Sequence, residues 1–211
     1  METPSSTRDR LIETARELFR SQGYNATGLK QVLAKAEVNA GSLYYFFKSK
    51  EDLLLAVLDR YVELLRPAVL DPAFEQTADP IERVFAVLGV YREYLSKTGC
   101  TLGCPIGNLA LEVDARLVVR ERIALNFNNW CRGIRECLDA AGDRVPPDLD
   151  RQALSEFVLT VMEGGVMQAR AHRSLEPFDR SVAMLRDYFN RLLAAGPPER
   201  SDADRAPPPP G

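Results

Sequence analysis

Apolar residues recur at helical spacing along most of the chain, and the breaks in that spacing divide it into elements. Leu11, Ile12, Ala15, Leu18 and Phe19 form one stripe of a helix that starts at Thr7 and is closed by Gly23. Leu29, Val32, Leu33 and Ala36 fall at i, i+3, i+4 and i+7, a second and shorter stripe. Glu37, Val38 and Asn39 interrupt it, and Asn39 is a good N-cap for a third helix from Ala40 to about Phe47. Leu43 and Phe47, four residues apart, face inward on that helix, which leaves Ala40, Gly41, Ser42, Tyr44 and Tyr45 on the other side. Two short helices joined by so tight a turn have helix-turn-helix geometry, whose second helix enters the major groove of DNA. The first helix packs behind them and completes a three-helix head.

Ser49 caps a fourth helix, with Asp52 at its N3 position and acids in the first turn where the helix dipole favours them. Leu53, Leu54, Val57, Leu58, Tyr61, Leu64 and Leu65 carry it to Pro67. The following stretch, PAVLDPAFEQTADP, has three prolines and no sustained period, and reads as a connection. Ile81, Val84, Phe85, Leu88, Tyr91 and Leu95 define the next helix, ending near Gly99, and Pro105 opens a short one to about Val113. Three more follow, at about Ala115 to Ala141, Leu149 to Ala171 and Pro177 to Ala195. The last two carry wide apolar stripes, Leu154, Phe157, Val158, Val161 and Val166 on one and Val182, Leu185, Tyr188, Phe189 and Leu192 on the other. With about nine helices and no β-alternation, the fold class is all-α. The expected division is a head over residues 1–50, a body over 51–195 and a Pro-rich tail over 196–211, disordered or extended. Residues 1–6 read as a loose arm.

Composition changes this picture in one respect. The net charge of −3 does not suit a DNA binder until it is divided: residues 1–50 hold eight Lys or Arg against five Asp or Glu, a net of +3, so the remainder carries −6. The basic character sits with the helix-turn-helix, the electrostatic footprint that phosphate binding needs. No apolar run approaches the ~20 residues of a membrane span, and METPSSTRDR does not lead into a signal-peptide core. A cytoplasmic location is therefore expected, with Cys100, Cys104, Cys131 and Cys137 as thiols. No catalytic set or metal site emerges: His172 is the single histidine, flanked closely by Arg170 and Arg173, and Cys100 and Cys104 are not at zinc spacing. No cofactor is implied.

The run Gly41-Ser42-Leu43-Tyr44-Tyr45-Phe46-Phe47-Lys48-Ser49-Lys50-Glu51-Asp52-Leu53 resembles the DNA-binding signature of the TetR family of transcriptional regulators, and the match reaches back through Phe19, Gly23, Tyr24 and Thr27. Glu37 stands where that family usually has Gly, Gly28 where Ser or Thr is usual, and Phe46 where His is common. A second run, GCPIGNLALE from Gly103, is similar to one in the LmrA/YxaF-like branch. The resemblance implies a homodimer on a palindromic operator in double-stranded DNA, acting as a repressor and released by a small-molecule effector, with the last two helices pairing across a two-fold axis. It also implies, with side-chain chemistry, that Lys48, Tyr44 and Ser42 meet phosphates and that Tyr45, Ala40, Gly41, Lys30 and Gln31 meet base edges or thymine methyls. Thr27 and Asn39, at the starts of the two helices, join the DNA-binding set. In the body, Tyr91, Asn108, Glu112, Phe127, Trp130, Met162, Glu163, Met167 and Gln168 have the composition of an effector site. Glu112 and Glu163, if buried, favour a cationic or hydrogen-bond-donating effector. Two alternatives stand beside this reading: a redox-responsive regulator acting through Cys100 or Cys104, and a small-molecule-binding helical protein without a DNA role.

Overall fold

The computed structural model describes residues 6–113 and 116–194, and among them every regular element is helical. The arm at residues 1–5, the expected start at Ala115, the expected end at Ala195 and the Pro-rich tail lie outside the described residues.

The head consists of α1 (Thr7–Gln22), α2 (Leu29–Ala36) and α3 (Ala40–Phe46). Each starts where a cap is available: the Ser6 hydroxyl accepts the Asp9 N–H at 3.1 Å, and the Asn39 side chain accepts the Ser42 N–H at 2.8 Å. At α2, Gly28 has no capping side chain, and Gln31 reaches back so that its Oε1 accepts the Gly28 N–H at 2.8 Å. Leu11, Ile12, Ala15 and Phe19 of α1 meet Val32 and Ala36 of α2, Leu43 of α3, and Phe47 in one buried core. The turn between α2 and α3 is a Schellman motif, with Val38 N–H on the Leu33 carbonyl and Glu37 N–H on that of Ala34. Glu37 sits there at φ 54°, ψ 45°, in the left-handed region that glycine occupies without strain. The departure noted in the sequence therefore carries the expected strain, roughly 1 kcal/mol.

From Lys50 to Leu65, α4 runs out of the head into the body, capped by the Ser49 hydroxyl on the Asp52 N–H at 3.0 Å. It is tied to α1 by Arg60, which pairs with Asp9 at 2.9 Å and Glu13 at 3.2 Å. The segment expected as an irregular connection is helical instead: a π-turn over Arg66–Leu70 passes directly into α5 (Asp71–Glu75). Pro67 and Pro72 both fall at N1 or N2, where the missing N–H leaves no bond broken, so the prolines start these turns rather than breaking them. The Asp71 N–H closes the wide turn on the Arg66 carbonyl. Among the described residues nine helices have seven residues or more, as expected, and the five-residue α5 is added to them.

The body is completed by α6 (Pro80–Lys97), α7 (Pro105–Glu112), α8 (Leu117–Ala140), α9 (Arg151–His172) and α10 (Glu176–Ala194). At Gly165, a Cβ would stand 3.0 Å from the Phe178 ring, so that glycine sets how closely α9 and α10 pack. The wide stripes on these helices divide in the structure. Leu154, Val158, Val166, Leu185 and Phe189 are buried in the chain's own core, and the exposed apolar side chains of the pair are Phe157, Met167, Met184 and Tyr188. No helix among the described residues is long and apolar enough to cross a membrane.

Candidate functional site

The outer side of α3 presents its aromatic residues to solvent. Tyr45 is 75% exposed, Tyr44 51% and Phe46 38%, with the Tyr45 and Phe46 rings edge to face at 4.9 Å. Ala40 and Gly41 are exposed and Ser42 is half-buried on the same short helix, which leaves room for close approach of a partner. Large aromatics do not stand in water on a seven-residue helix for the sake of the fold, because Leu43 and Phe47 already supply its inward anchors. Lys30 of α2 and Lys48, two residues past the end of α3, are also exposed, with the Lys48 ammonium donating to the Tyr44 carbonyl at 2.9 Å. An ammonium has three donors, so that bond holds Lys48 at the end of α3 while leaving hydrogens for a phosphate.

Other residues expected on this face are placed differently. Thr27 is only 1% exposed; its hydroxyl donates to the Gly23 carbonyl at 2.6 Å and accepts from Gln22 Nε2 at 3.1 Å. It fixes the start of α2 from inside. The Gln31 amide oxygen is occupied by the Gly28 N–H and by Gln22 Nε2, a consequence of the glycine that replaced the usual hydroxyl cap. Asn39 acts through its cap of α3. Lys50, one of the eight basic residues of the head, turns inward: its ammonium donates to the Tyr24 carbonyl at 2.5 Å and sits 4.1 Å from the Tyr24 ring centre, where burial lowers its pKa.

A cavity of about 240 Å³ lies where the head meets the body. Its walls come from six parts of the chain: Arg16 and Arg20 of α1, Tyr61, Leu64 and Leu65 of α4, the π-turn, Val90, Tyr91 and Tyr94 of α6, the start of α7 at Cys104, and Asn126 and Trp130 of α8. Tyr91 stacks edge-on with Trp130 at 5.6 Å and with Tyr94 at 5.7 Å, making an aromatic side. Of the nine residues expected at an effector site, Tyr91 and Trp130 line this cavity. Met162 is in the core, Phe127 packs partly buried against it, and Met167 and Gln168 are exposed on α9. Asn108 accepts from Arg170 at 3.1 Å. The two carboxylates also fail as cavity anions. Glu163 lies behind Cys104, with its pKa raised by burial. Glu112 faces the head, where it accepts the N–H groups of Tyr24 at 2.9 Å and Asn25 at 2.6 Å and lies against Gly23.

The residues that sequence reasoning missed are those on α1, Arg16 and Arg20, together with Tyr61 and Tyr94. Tyr61 stood in the apolar stripe of the fourth helix, and the arginines entered only the charge count of the head. Their positions one turn apart beside Ala15 and Phe19 put them at the edge of the buried face, which is the signal that was present.

The four cysteines are free and buried. Burial pushes the Cys104 thiol up to about 12 and that of Cys137 to about 11, so neither carries a thiolate near neutral pH. A redox role for Cys104 is therefore disfavoured. We expect 5,5′-dithiobis(2-nitrobenzoate) to titrate the native thiols slowly and all four rapidly in denaturant; rapid modification of Cys104 in the native protein would contradict the geometry.

Comparison with known proteins agrees with both halves of this arrangement. Residues 11–57 match the family model for bacterial regulatory proteins of the tetR family, and residues 80–185 match that of the tetracyclin repressor-like C-terminal domain. Among curated relatives, the HTH-type transcriptional repressor DhaR of Mycobacterium sp. (strain GP1) is 25% identical over 88% of this chain and 92% of its own. The HTH-type transcriptional regulator LmrA of Bacillus subtilis (strain 168) is 27% identical over 87% and 97%. Among solved structures, a TetR regulatory protein from Rhodobacter sphaeroides superposes with a TM-score of 0.76 at 25% identity, over 88% of this chain and 98% of that one.

Proposed function

Since this chain belongs to the TetR family and is a DNA-binding transcriptional regulator, we propose that it works as a homodimeric repressor, with its two α3 helices on a palindromic operator and with the cavity between α1 and the body as the effector site. The observation that carries this reading is the composition of the cavity wall. Arg16 and Arg20 belong to the head and Tyr91 and Trp130 to the body, so one small molecule touches both at once. An effector shifts the protein only by its differential affinity for two arrangements. A ligand wedged between α1 and α6 has that difference built in, because any rotation of the head reshapes the cavity.

Two contacts transmit the rearrangement. The π-turn at Arg66–Leu70 lines the cavity through Ala68 and Val69 and continues α4, the helix that leads to α3 through Ser49. Glu112, at the end of α7, holds the loop after α1 by its two backbone bonds. The second protomer covers the exposed face of α9 and α10, where Phe157, Met184 and Tyr188 border a groove. This pairing sets two recognition helices about one turn of DNA apart, ~34 to 36 Å or somewhat more.

Lys48→Ala is expected to weaken binding about equally on all sequences and to flatten the salt dependence by ~1 in slope, whereas Tyr45→Ala changes preference between sites by ~1 to 3 kcal/mol. Fluorescence anisotropy on two related duplexes across a salt series separates these effects. An unchanged salt slope for the lysine variant would remove Lys48 from the phosphate contacts.

A further inference from the structure

Resting on the reading of the cavity as the effector site, we infer that its ligand is a small aromatic or otherwise π-rich carboxylic acid, bound as the anion with its carboxylate on Arg20 of the head and its apolar part against Tyr91 and Trp130. Arg20 lines the cavity from the last turn of α1, and its Nε is buried without a hydrogen-bond acceptor. The nearest acids on its own helix are engaged elsewhere, Glu17 by Lys35 at 2.7 Å and Glu13 by Arg16 at 2.7 Å. The Tyr61 hydroxyl, also on the wall, is buried and unpartnered. Beside it, the guanidinium of Arg20 lies against the Tyr94 hydroxyl, which itself donates to the Gly103 carbonyl at 3.4 Å. Unmet buried donors are expensive, and an acceptor that enters the cavity relieves them.

Charge selects among acceptors. Arg16 and Arg20 are the charged residues of the wall, and Arg16 is already neutralised by Glu13. Among the described residues Arg20 is therefore the cation of the wall that forms no ion pair. A planar carboxylate matches a guanidinium fork, an amide does so less well, and an amine is repelled. Apart from Cys104 and Asn126, whose amide nitrogen donates to the Leu58 and Arg122 carbonyls, the remaining wall is apolar and aromatic, and the volume lies below the ~300 to 1,000 Å³ of drug-sized sites, which points to a single ring rather than a fused system. The expectation of a cationic effector drawn from Glu112 and Glu163 is replaced by its opposite, because neither carboxylate lines the cavity and Arg20 does.

The chain has one tryptophan, and it is Trp130, so intrinsic tryptophan fluorescence reports directly on the cavity. The test titrates the full chain with benzoate, phenylacetate and cinnamate and with the amide and amine of each, reading Trp130 emission and release of a DNA site selected from a random duplex library. The acids are expected to bind at least tenfold tighter than their amides and amines and to release DNA. Arg20→Gln is expected to weaken the acids by about tenfold to a hundredfold while leaving the amides within about twofold, the loss of one charge-assisted pair. Arg20→Lys, expected to fall between, keeps the test informative if the glutamine variant does not fold. Acids that bind Arg20→Gln as tightly as the parent, or amines and amides that bind and release DNA as well as the acids, overturn the inference and leave the effector cavity standing. If DNA binding is intact and no probe of any charge moves Trp130 emission or DNA, the assigned ligand class and the effector reading fail together.

Discussion

Glutamate at both Met184 and Tyr188 is expected to yield a folded monomer that binds its operator at least about a hundredfold more weakly. Met184 is 67% exposed and Tyr188 42%, so neither substitution disturbs the chain's own core, and helical content is expected to stay at the parent value. In the proposed dimer both lie in the seam, where the two-fold axis would bring four new carboxylates together. Burying unpaired charges costs several kcal/mol each even after relaxation, more than a family of modest apolar contacts can offset. The monomer retains one recognition helix. Since specific binding typically exceeds non-specific binding by 10³ to 10⁷, removing one of two half-site contacts takes most of that margin. Sedimentation velocity with anisotropy on the same samples checks both parts. A monomeric variant with parental affinity would show that pairing is irrelevant to DNA binding, and a variant that remains dimeric would place the seam elsewhere.

The second large effect is expected in the head. Leu43→Ala removes a fully buried side chain of α3, which packs on α1 within the core that also contains Leu11, Val32 and Phe47. Leu→Ala at such sites costs ~2 to 5 kcal/mol. We expect chemical denaturation to show a loss in that range, with DNA affinity falling in parallel because the exposed tyrosines of α3 lose their platform. A loss under about 1 kcal/mol would mean that α3 is not anchored through Leu43.

Particular residues show how far the sequence could be read. The head was legible almost to the residue because local rules determine it: the Asn39 cap, the i, i+3, i+4 stripe of α2, and the Leu43 and Phe47 pair all depend on neighbours a few positions away. Glu37 was legible through the family resemblance, which has Gly at that position, and the left-handed backbone there gives the reason. Prolines misled the reading between Pro67 and Pro80, since a proline at the first positions of a turn permits what it forbids further in. The cavity proposed as the effector site was legible only in part, through Tyr91 and Trp130, because it forms where six segments meet and no segment records its partners. Glu112 illustrates the limit. It was counted with the aromatic and polar residues whose composition suits an effector site, and only the fold reveals that the loop of Gly23, Tyr24 and Asn25, nearly ninety residues earlier, comes to rest on it. Apolar stripes on α9 and α10 carried a similar ambiguity, since periodicity does not separate a chain's own core from the face a second copy covers.

The central claim is that α3 of each protomer reads one half of a symmetric DNA site, and the most direct measurement selects binding sites for the full chain from a random duplex library at ~50 and ~200 mM salt, a range in which phosphate-dominated binding falls steeply. The account predicts an inverted repeat, with half-sites about one helical turn apart or somewhat more, that survives the higher salt and changes sequence when Tyr45 is replaced. Enrichment of no sequence, or of a single half-site that the Tyr45 variant selects equally well, would contradict it.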